Sequence, residues 1–441
     1  MKNLKISFFI FALLFLLFST FRQGLDMERH VDLSPTYVAA NLLWSGQGET
    51  IYKNSAYGQT RSKAWVEFES QQMDGMATDT SFLYLPAYLL LISPLLLLGS
   101  FQAFKIVFLL LKIIGLSILL AQLADKWSRS YITGLLIIGL LSMTDAIFDS
   151  LQYGQNIEFL ALLIPVYFYR VRKDHRGYSI GFFILAVLIK PWAAFLLAVP
   201  LIDRNLKLFL LLIVSLLLLL GIQILWLPGP MLDFWNQTVA HGEISILAYN
   251  NASLSALIHK ISFAPNWMNH FHWEPAPENP SLISMIIRLF IGTLLFIYAT
   301  SSRIGLHQRL AIMIIPPVLM GIFWNHYLLL YFPFLLYLNR RMGLRARTAI
   351  FWFLLLLALW PDVHSVKVFI NSFLLRGIQL QTLGYILPFL HFMGPLILLA
   401  TVLTFAVTDW RSRLLRSPRQ ILVLRSGRRP QIIGRTDNAN S

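Results

Sequence analysis

Leu208-Phe209-Leu210-Leu211-Leu212-Ile213-Val214-Ser215-Leu216-Leu217-Leu218-Leu219-Leu220-Gly221-Ile222-Gln223-Ile224-Leu225-Trp226-Leu227 is a run of 20 residues broken only by the polar side chains of Ser215 and Gln223. At 1.5 Å per residue a helix of this length covers about 30 Å, the thickness of the hydrocarbon layer of a bilayer. Arg204 and Lys207 stand just before it and Pro228 just after it. The stretch reads as a membrane-spanning helix that is basic at one end and closed by proline at the other.

The rest of the chain follows the same solvent. Of its 441 residues 57% are hydrophobic and 13% charged, with mean hydropathy +0.64, so lipid surrounds most of it. This composition excludes a water-soluble enzyme of two or three domains and predicts an all-α polytopic membrane protein. The formal charge of +15 would point to nucleic acid in a soluble protein. Here the basic residues fall in clusters between apolar stretches: Lys126/Arg129, Arg170/Arg172/Lys173/Arg176, Arg204/Lys207, Arg303/Arg309 and Arg340/Arg341/Arg345/Arg347. That spacing is the positive-inside pattern of cytoplasmic loops, and no nucleic-acid partner is expected. Cysteine is absent, so neither disulfides nor thiolate chemistry are available.

Lys2 and Lys5 place the amino terminus inside, and the apolar segment Lys2 to Phe21 lacks a small-residue cleavage site, which makes it an uncleaved anchor. The first outer loop then covers 24–82 and is net acidic, with eight Asp or Glu against Arg29, Lys53, Arg61 and Lys63. Within it a short amphipathic helix is predicted from about Leu33 to Trp44, with Pro35 in its first turn and Gly46 at its end. The remainder of the loop reads as irregular. Between Phe82 and Trp127 two apolar stretches are interrupted by Pro94 and Gly99, and the charge pattern downstream requires that one of them only dip into the membrane.

A second large outer loop covers 228–280, where Lys260 is the only Lys or Arg. Some hairpin arms, such as Gly177 to Ile189 and Ala193 to Ile202, are too short to cross 30 Å of hydrocarbon, so their tips lie inside the protein at membrane depth. A polar cavity open to the outer side is implied. About 12 transmembrane or partly inserted helices form one domain, 1–409. A basic cytoplasmic tail, 410–441, carries eight Arg and no Lys and is expected to lie on anionic lipid.

Polar residues on the tips are the candidates for chemistry. Asp32 precedes the first outer helix, either as a carboxylate that complements the helix dipole or as a reactive group. Lys190, followed by Pro191, sits in the middle of an apolar hairpin, where insertion costs about 2.5–3.5 kcal/mol and an anionic partner is expected, a phosphate or a carboxylate. Gly154-Gln155-Asn156 either binds a sugar hydroxyl or closes a turn. His326, in Trp324-Asn325-His326-Tyr327, is placed to donate to phosphate, to relay a proton, or to serve as a buried structural histidine. Tyr37, Trp44 and Tyr52 are expected at interface depth, as belt aromatics or as carbohydrate-stacking faces. His241, Glu243, Asn250, Asn251 and Ser253 cluster in the second outer loop without metal-ligand spacing, and no metal site is expected. No nucleotide-binding glycine loop is present, so a glycosyl donor would arrive within the membrane.

The ordered set of motifs resembles glycosyltransferase family 87, the polyprenol-phosphate-mannose-dependent mannosyltransferase-like group of the GT-C superfamily. It comprises Asp32 with Tyr37-x-Ala39-Ala40-x-x-Leu43-x-x-Gly46 and Tyr52, then Tyr84-x-Pro86, Ser93-Pro94-Leu95, Gly154-Gln155-x-x-Glu158, Ile189-Lys190-Pro191, Asn251-x-Ser253-Leu254 and Trp324-Asn325-His326-Tyr327. Asn156 directly after Gln155 departs from the family's Gly-Gln-x-Asn. The resemblance implies a GT-C fold and inverting transfer of a hexose, mannose foremost, from a polyprenyl-phosphate donor to a lipid or glycan acceptor at the outer face of a bacterial cytoplasmic membrane. It makes Asp32 the general base, puts Lys190 and His326 near the donor phosphate, and puts Tyr37, Gln155, Asn251 and Ser253 among the substrate-binding residues. It implies no cofactor, and a divalent ion is not indicated. The rival reading is a transporter or flippase of a lipid-linked glycan.

Overall fold

The computed structural model describes residues 2–22, 32–53, 61–73, 82–128, 130–243, 251, 253–262, 282–301 and 306–332. In chain order its helices are α1 (Lys2–Arg22), α2 (Ser34–Trp44), α3 (Lys63–Gln72), α4 (Pro86–Ile92), α5 (Phe101–Trp127), α6 (Tyr131–Ser142), α7 (Asp145–Tyr153), α8 (Ile157–Arg172), α9 (Arg176–Ile189), α10 (Ala198–Ile202), α11 (Leu206–Trp226), α12 (Pro228–Glu243), α13 (Leu254–Ser262), α14 (Leu282–Ser301) and α15 (Leu306–Leu319). Short 3-10 helices cover Gly48–Thr50, Ser93–Leu98, Pro191–Leu197 and Asn325–Tyr331. Among the described residues there is no β-strand, only an isolated antiparallel bridge between Asn251 and Trp324. The basic cluster Arg340 to Arg347 and the tail 410–441 lie outside the described residues.

The leucine run is α11, and its exterior is apolar: Leu210, Val214, Leu217, Leu218, Ile222 and Leu225 are all exposed. Its two polar residues are both satisfied. Ser215 Oγ donates to Leu211 O at 2.8 Å. Gln223 is buried, donates to Leu219 O, and accepts the Ala87 N–H at 2.8 Å, which serves an orphan amide at the start of α4. Among the described residues α5 and α11 are long and apolar enough to cross a membrane, and α6 with α7 forms a third crossing if the pair, bent by 54°, is taken as one. Before α5, the first apolar stretch forms α4 and the 3-10 helix Ser93–Leu98, and Gly99, in the left-handed region, separates them from this 27-residue helix.

α1 packs antiparallel to α5. Phe8, Ala12 and Leu16, four residues apart, are buried on one face while Ile6, Ile10, Leu14 and Phe18 stay exposed on the other. Lys5 Nζ lies 3.3 Å from Asp125 Oδ2, so the amino end of α1 and the carboxyl end of α5 share a level. At the opposite end of α5, Tyr37 of α2 packs against Phe101 and Phe104, with ring centroids 5.2 and 5.1 Å away.

The helix expected from about Leu33 to Trp44 is α2, and it is more enclosed than a helix with one solvated face: Ser34 to Ala40 and Leu42 are all buried, because α3, α4 and α5 surround it. Beyond α2 the described part of the loop holds a second helix, α3, where irregular structure was expected. Ser62 caps α3 by accepting the Trp65 N–H, and the fully buried Trp65 donates through its indole to Glu69, which also pairs with Arg61 at 2.8 Å.

Gly134 of α6 is where α1 docks, since a Cβ there would meet Phe8 Cζ at 2.2 Å, and the Phe8 ring stacks on Tyr131. Gly134→Ala is therefore expected to destabilise the protein by about 1–3 kcal/mol through overpacking. Thermal unfolding of the purified protein checks this, and Phe8→Leu combined with Gly134→Ala should recover part of the loss. An unchanged midpoint would show that Phe8 does not fix α1 against α6.

Candidate active site

Three tips converge. The first is the entry to α2 at Asp32-Leu33, the second the turn Gly154-Gln155-Asn156 between α7 and α8, and the third Lys190 between α9 and the 3-10 helix Pro191–Leu197. The Asp32 N–H donates to Tyr153 O at 3.0 Å, which ties the first tip to the end of α7. Gly154 closes α7 in the left-handed region, at φ 71°, and a Cβ on it would come 2.7 Å from Leu33 Cβ. Glycine is required there twice over, by conformation and by close approach.

Gln155 is the junction. Its Nε2 donates to Asp32 Oδ2 and its Oε1 accepts from Lys190 Nζ at 2.9 Å, so one buried side-chain amide bridges a half-buried carboxylate and a buried ammonium. Lys190 also donates to Tyr84 Oη at 3.1 Å, and its Nζ lies 4.6 Å from the Tyr84 ring centroid and 5.3 Å from that of Tyr327. Two hydrogen bonds and two aromatic faces thus hold a cation that keeps a third N–H for a ligand. The anionic partner expected for Lys190 is not a direct one: among the described residues no carboxylate pairs with it, and contact with Asp32 runs through the amide.

Leu33 holds the cap position of α2 without any side-chain hydrogen bond, and the Asp32 carboxylate before it accepts from Gln155. Tyr84 stacks on Tyr88 at 4.6 Å, and Tyr88 Oη accepts from Asn156 Nδ2 at 2.9 Å, so Asn156 supports the site from behind. Tyr52 Oη donates to Tyr84 O, and burial pushes this phenol well above its ordinary range, which keeps it a neutral donor.

His326 is buried in the strap after α15, and both ring nitrogens lack a hydrogen-bond partner among the described residues. Its ring meets Tyr327 edge-on at 4.7 Å, and Tyr327 is one of the two rings that cover Lys190. A buried imidazole with two unpaired nitrogens costs about 1–3 kcal/mol, which a polar ligand beside Lys190 would recover.

Asn251 and Ser253 are engaged with backbone. Asn251 Nδ2 and Ser253 Oγ both donate to Gly321 O, at 3.1 and 2.9 Å, while Asn251 Oδ1 accepts from Ser253 N and Phe323 N. Ser253 also caps α13 through Ala256 N, and the buried Lys260 donates to Asn251 O. These bonds hold residues 321–324, and hence His326, in place. Tyr37 and Tyr52 are buried within the protein, and Tyr37 belongs to the aromatic cluster of Phe68, Phe101 and Phe104. Of the outer-loop cluster, Asn250 and the side chains of His241 and Glu243 lie outside the described residues.

Sequence reasoning missed the layer beneath. Lys112, fully buried on α5, donates to Ser150 O and lies 3.6 Å from Glu158 Oε1, also fully buried, while Ser150 Oγ donates to Glu158 Oε2 at 2.7 Å. Gln155 N donates to the same Ser150 carbonyl at 3.1 Å. Lys112 stands 11 residues into α5, roughly 16 Å from Phe101, so the turn that carries Gln155 reaches to that depth. A lysine inside an apolar span was the available signal.

The family model described as Glycosyltransferase family 87 matches residues 82–320, more than half of the chain. No curated protein and no solved structure matches it.

The ion pair gives a prediction for the scaffold. Lys112→Met leaves the Glu158 carboxylate buried and alone, and removal of one partner of such a pair costs about 3–5 kcal/mol. Lys112→Met with Glu158→Gln is expected to recover most of that loss in thermal unfolding. A single variant as stable as the wild type would mean that water already reaches the pair.

Proposed function

Because this chain belongs to glycosyltransferase family 87, and is on that ground a membrane glycosyltransferase, we propose that it moves a hexose, mannose by the family resemblance, from a polyprenyl-phosphate donor to a lipid or glycan acceptor at the outer face of the membrane. The observation that carries this reading is the Gln155 bridge between Asp32 and Lys190. It puts a proton acceptor and an anion-binding cation side by side, which is what single displacement from a lipid phosphate needs.

In the proposed reaction the acceptor oxygen attacks C1 of the donor sugar. The C1–O bond to phosphate breaks with its electron pair, Asp32 takes the acceptor's hydroxyl proton, and the polyprenyl phosphate leaves as an anion toward Lys190 and His326. The lipid phosphate leaves without a general acid, and attack from the face opposite to it inverts the anomeric centre. The steps balance in atoms and charge without a cofactor. Gln155 keeps carboxylate and ammonium one amide apart, and Tyr84 and Tyr327 shield the cation from competing water. Asn251 and Ser253 are assigned a positioning part, through the 321–324 strap, where the resemblance implied direct substrate contact.

Two features support the outward orientation. The Asp32 end of the helices lies opposite the level marked by the Lys5–Asp125 pair. Arg170, Arg172 and Lys173 close α8 at its far end from Gln155. Both are consistent with a bridge lying away from the basic clusters among the described residues, and so support an outer site by the positive-inside rule.

Asp32→Asn should lower transfer by about 10²–10⁴-fold, the range of general-base catalysis, while the protein still inserts and unfolds normally. Lys190→Met should abolish saturable binding of the polyprenyl-phosphate sugar. Incubation of the purified protein with polyprenyl-phosphate-mannose and an acceptor pool, with products read by mass spectrometry, checks both. A protein that forms no new glycosidic bond with any sugar donor of this class would return the chain to the transporter reading, and full activity in Asp32→Asn would remove Asp32 as base.

A further inference from the structure

The segment that leaves α2 carries Leu43, Trp44, Gly46, Gly48 and Glu49, and together with Trp226 and Leu227 at the end of α11 it walls a cleft of about 300 Å³. Two large aromatic side chains are left unburied there: Trp44 is 63% exposed and Trp226 44%. Trp44 is held in place, since its indole N–H donates to Ser93 Oγ at 2.7 Å. Glu49 is exposed and pressed against the first turn of α12, where a Cβ on Gly229 would meet its Oε2 at 2.0 Å. No described residue donates a hydrogen bond to that carboxylate or pairs with it.

We propose that this cleft is a carbohydrate-binding subsite that takes an uncharged sugar unit of an extended glycan acceptor. The chemistry of the wall selects the ligand class. An indole face takes the C–H face of a pyranose, and a carboxylate accepts from its hydroxyls; a few polar groups in a mostly apolar, aromatic concavity is the composition of ligand sites, and the volume falls at the low end of their range. Among the described residues no lysine, arginine or histidine lines the cleft, so a phosphate or carboxylate headgroup there would meet Glu49 uncompensated. An acyl chain would strip water from the same carboxylate without replacing its hydrogen bonds. Tryptophans are common at membrane interfaces, but interfacial anchoring does not call for two of them to close on an unpaired carboxylate.

The place of the cleft gives it a use. α2 begins two residues after Asp32 and ends at Trp44, so cleft and carboxylate stand at opposite ends of an 11-residue helix, roughly 16 Å apart along its axis. A glycan whose terminal hydroxyl reaches Asp32 would lay a preceding unit in the cleft. The subsite then favours long acceptors over short ones. This use rests on the function proposed above; the binding itself does not.

The test is therefore run without donor. The protein is placed in phosphatidylcholine nanodiscs, free of glycoside detergent, and titrated with neutral tetrasaccharides of mannose, glucose and galactose while tryptophan fluorescence is followed. At least one tetrasaccharide should give a saturable change in the wild type, and Trp44→Ala and Glu49→Gln should each weaken it at least tenfold. Glu49→Gln should unfold at the wild-type temperature, which separates lost binding from lost fold. The subsite is overturned if no tetrasaccharide registers, if Glu49→Gln binds with unchanged affinity, or if the signal follows added phosphatidylglycerol instead of sugar. Transfer intact with no sugar binding at the cleft overturns the subsite alone; sugar binding intact with no transfer chemistry overturns the function alone.

Discussion

The structure depends on how a lysine ammonium and an aspartate carboxylate are kept charged and apart in a mostly apolar protein. Gln155 does this by donating to Asp32 and accepting from Lys190. A buried charge is tolerated only when its hydrogen-bonding capacity is met. The amide meets part of it at each end, and the Tyr84 hydroxyl with the Tyr84 and Tyr327 rings meets more of it at the cation. The three tips must therefore meet to within an ångström or less, since hydrogen bonds fail beyond that.

The scaffold supplies that accuracy from below. Lys112 on the spanning helix α5 takes the Ser150 carbonyl and the Glu158 carboxylate, the two groups that flank the α7–α8 turn. The turn is thereby tied to the longest helix among the described residues, and Gly154 brings its backbone against Leu33. From the other side the Asn251 and Ser253 side chains clamp Gly321, which fixes the strap that leads to His326 and Tyr327. Polar side chains in this protein mostly serve backbone groups near helix ends and breaks. That is the expected use of a polar group where water is scarce.

Much of this was legible in the sequence because polar residues in apolar hairpins are conspicuous. The leucine run gives α11, the short arms on either side of Lys190 give the break between α9 and the 3-10 helix Pro191–Leu197, and Gly154 before Gln155 gives the turn. What local pattern could not supply was pairing over distance. Lys112 and Glu158 are 46 positions apart, and no periodicity links them, so the buried pair emerges only when α5 and α8 are packed together. The burial of α2 was hidden for a related reason: its apolar content suits a surface helix on a membrane as well as an enclosed one, and the capped α3 that helps to enclose it was masked by the polar composition of its loop. Tyr37 then fell inside an aromatic cluster, and Asn251 and Ser253 turned their polar atoms to main chain, which sequence spacing does not reveal.

A direct ion pair between Asp32 and Lys190 would have been the simpler way to bury both charges, and its absence is informative for the proposed chemistry. In a direct pair each charge is consumed by the other: the carboxylate is a weaker proton acceptor and the ammonium has less field to offer a phosphate. An intervening neutral amide holds both in a fixed geometry without direct contact between the two charges. In the proposed reaction an incoming hydroxyl donates to the carboxylate and an incoming phosphate accepts from the ammonium, so the groups that bind the substrates are those that the proposed transition state uses. A lysine–aspartate contact at the tips would make the protein more comfortable and the reaction slower.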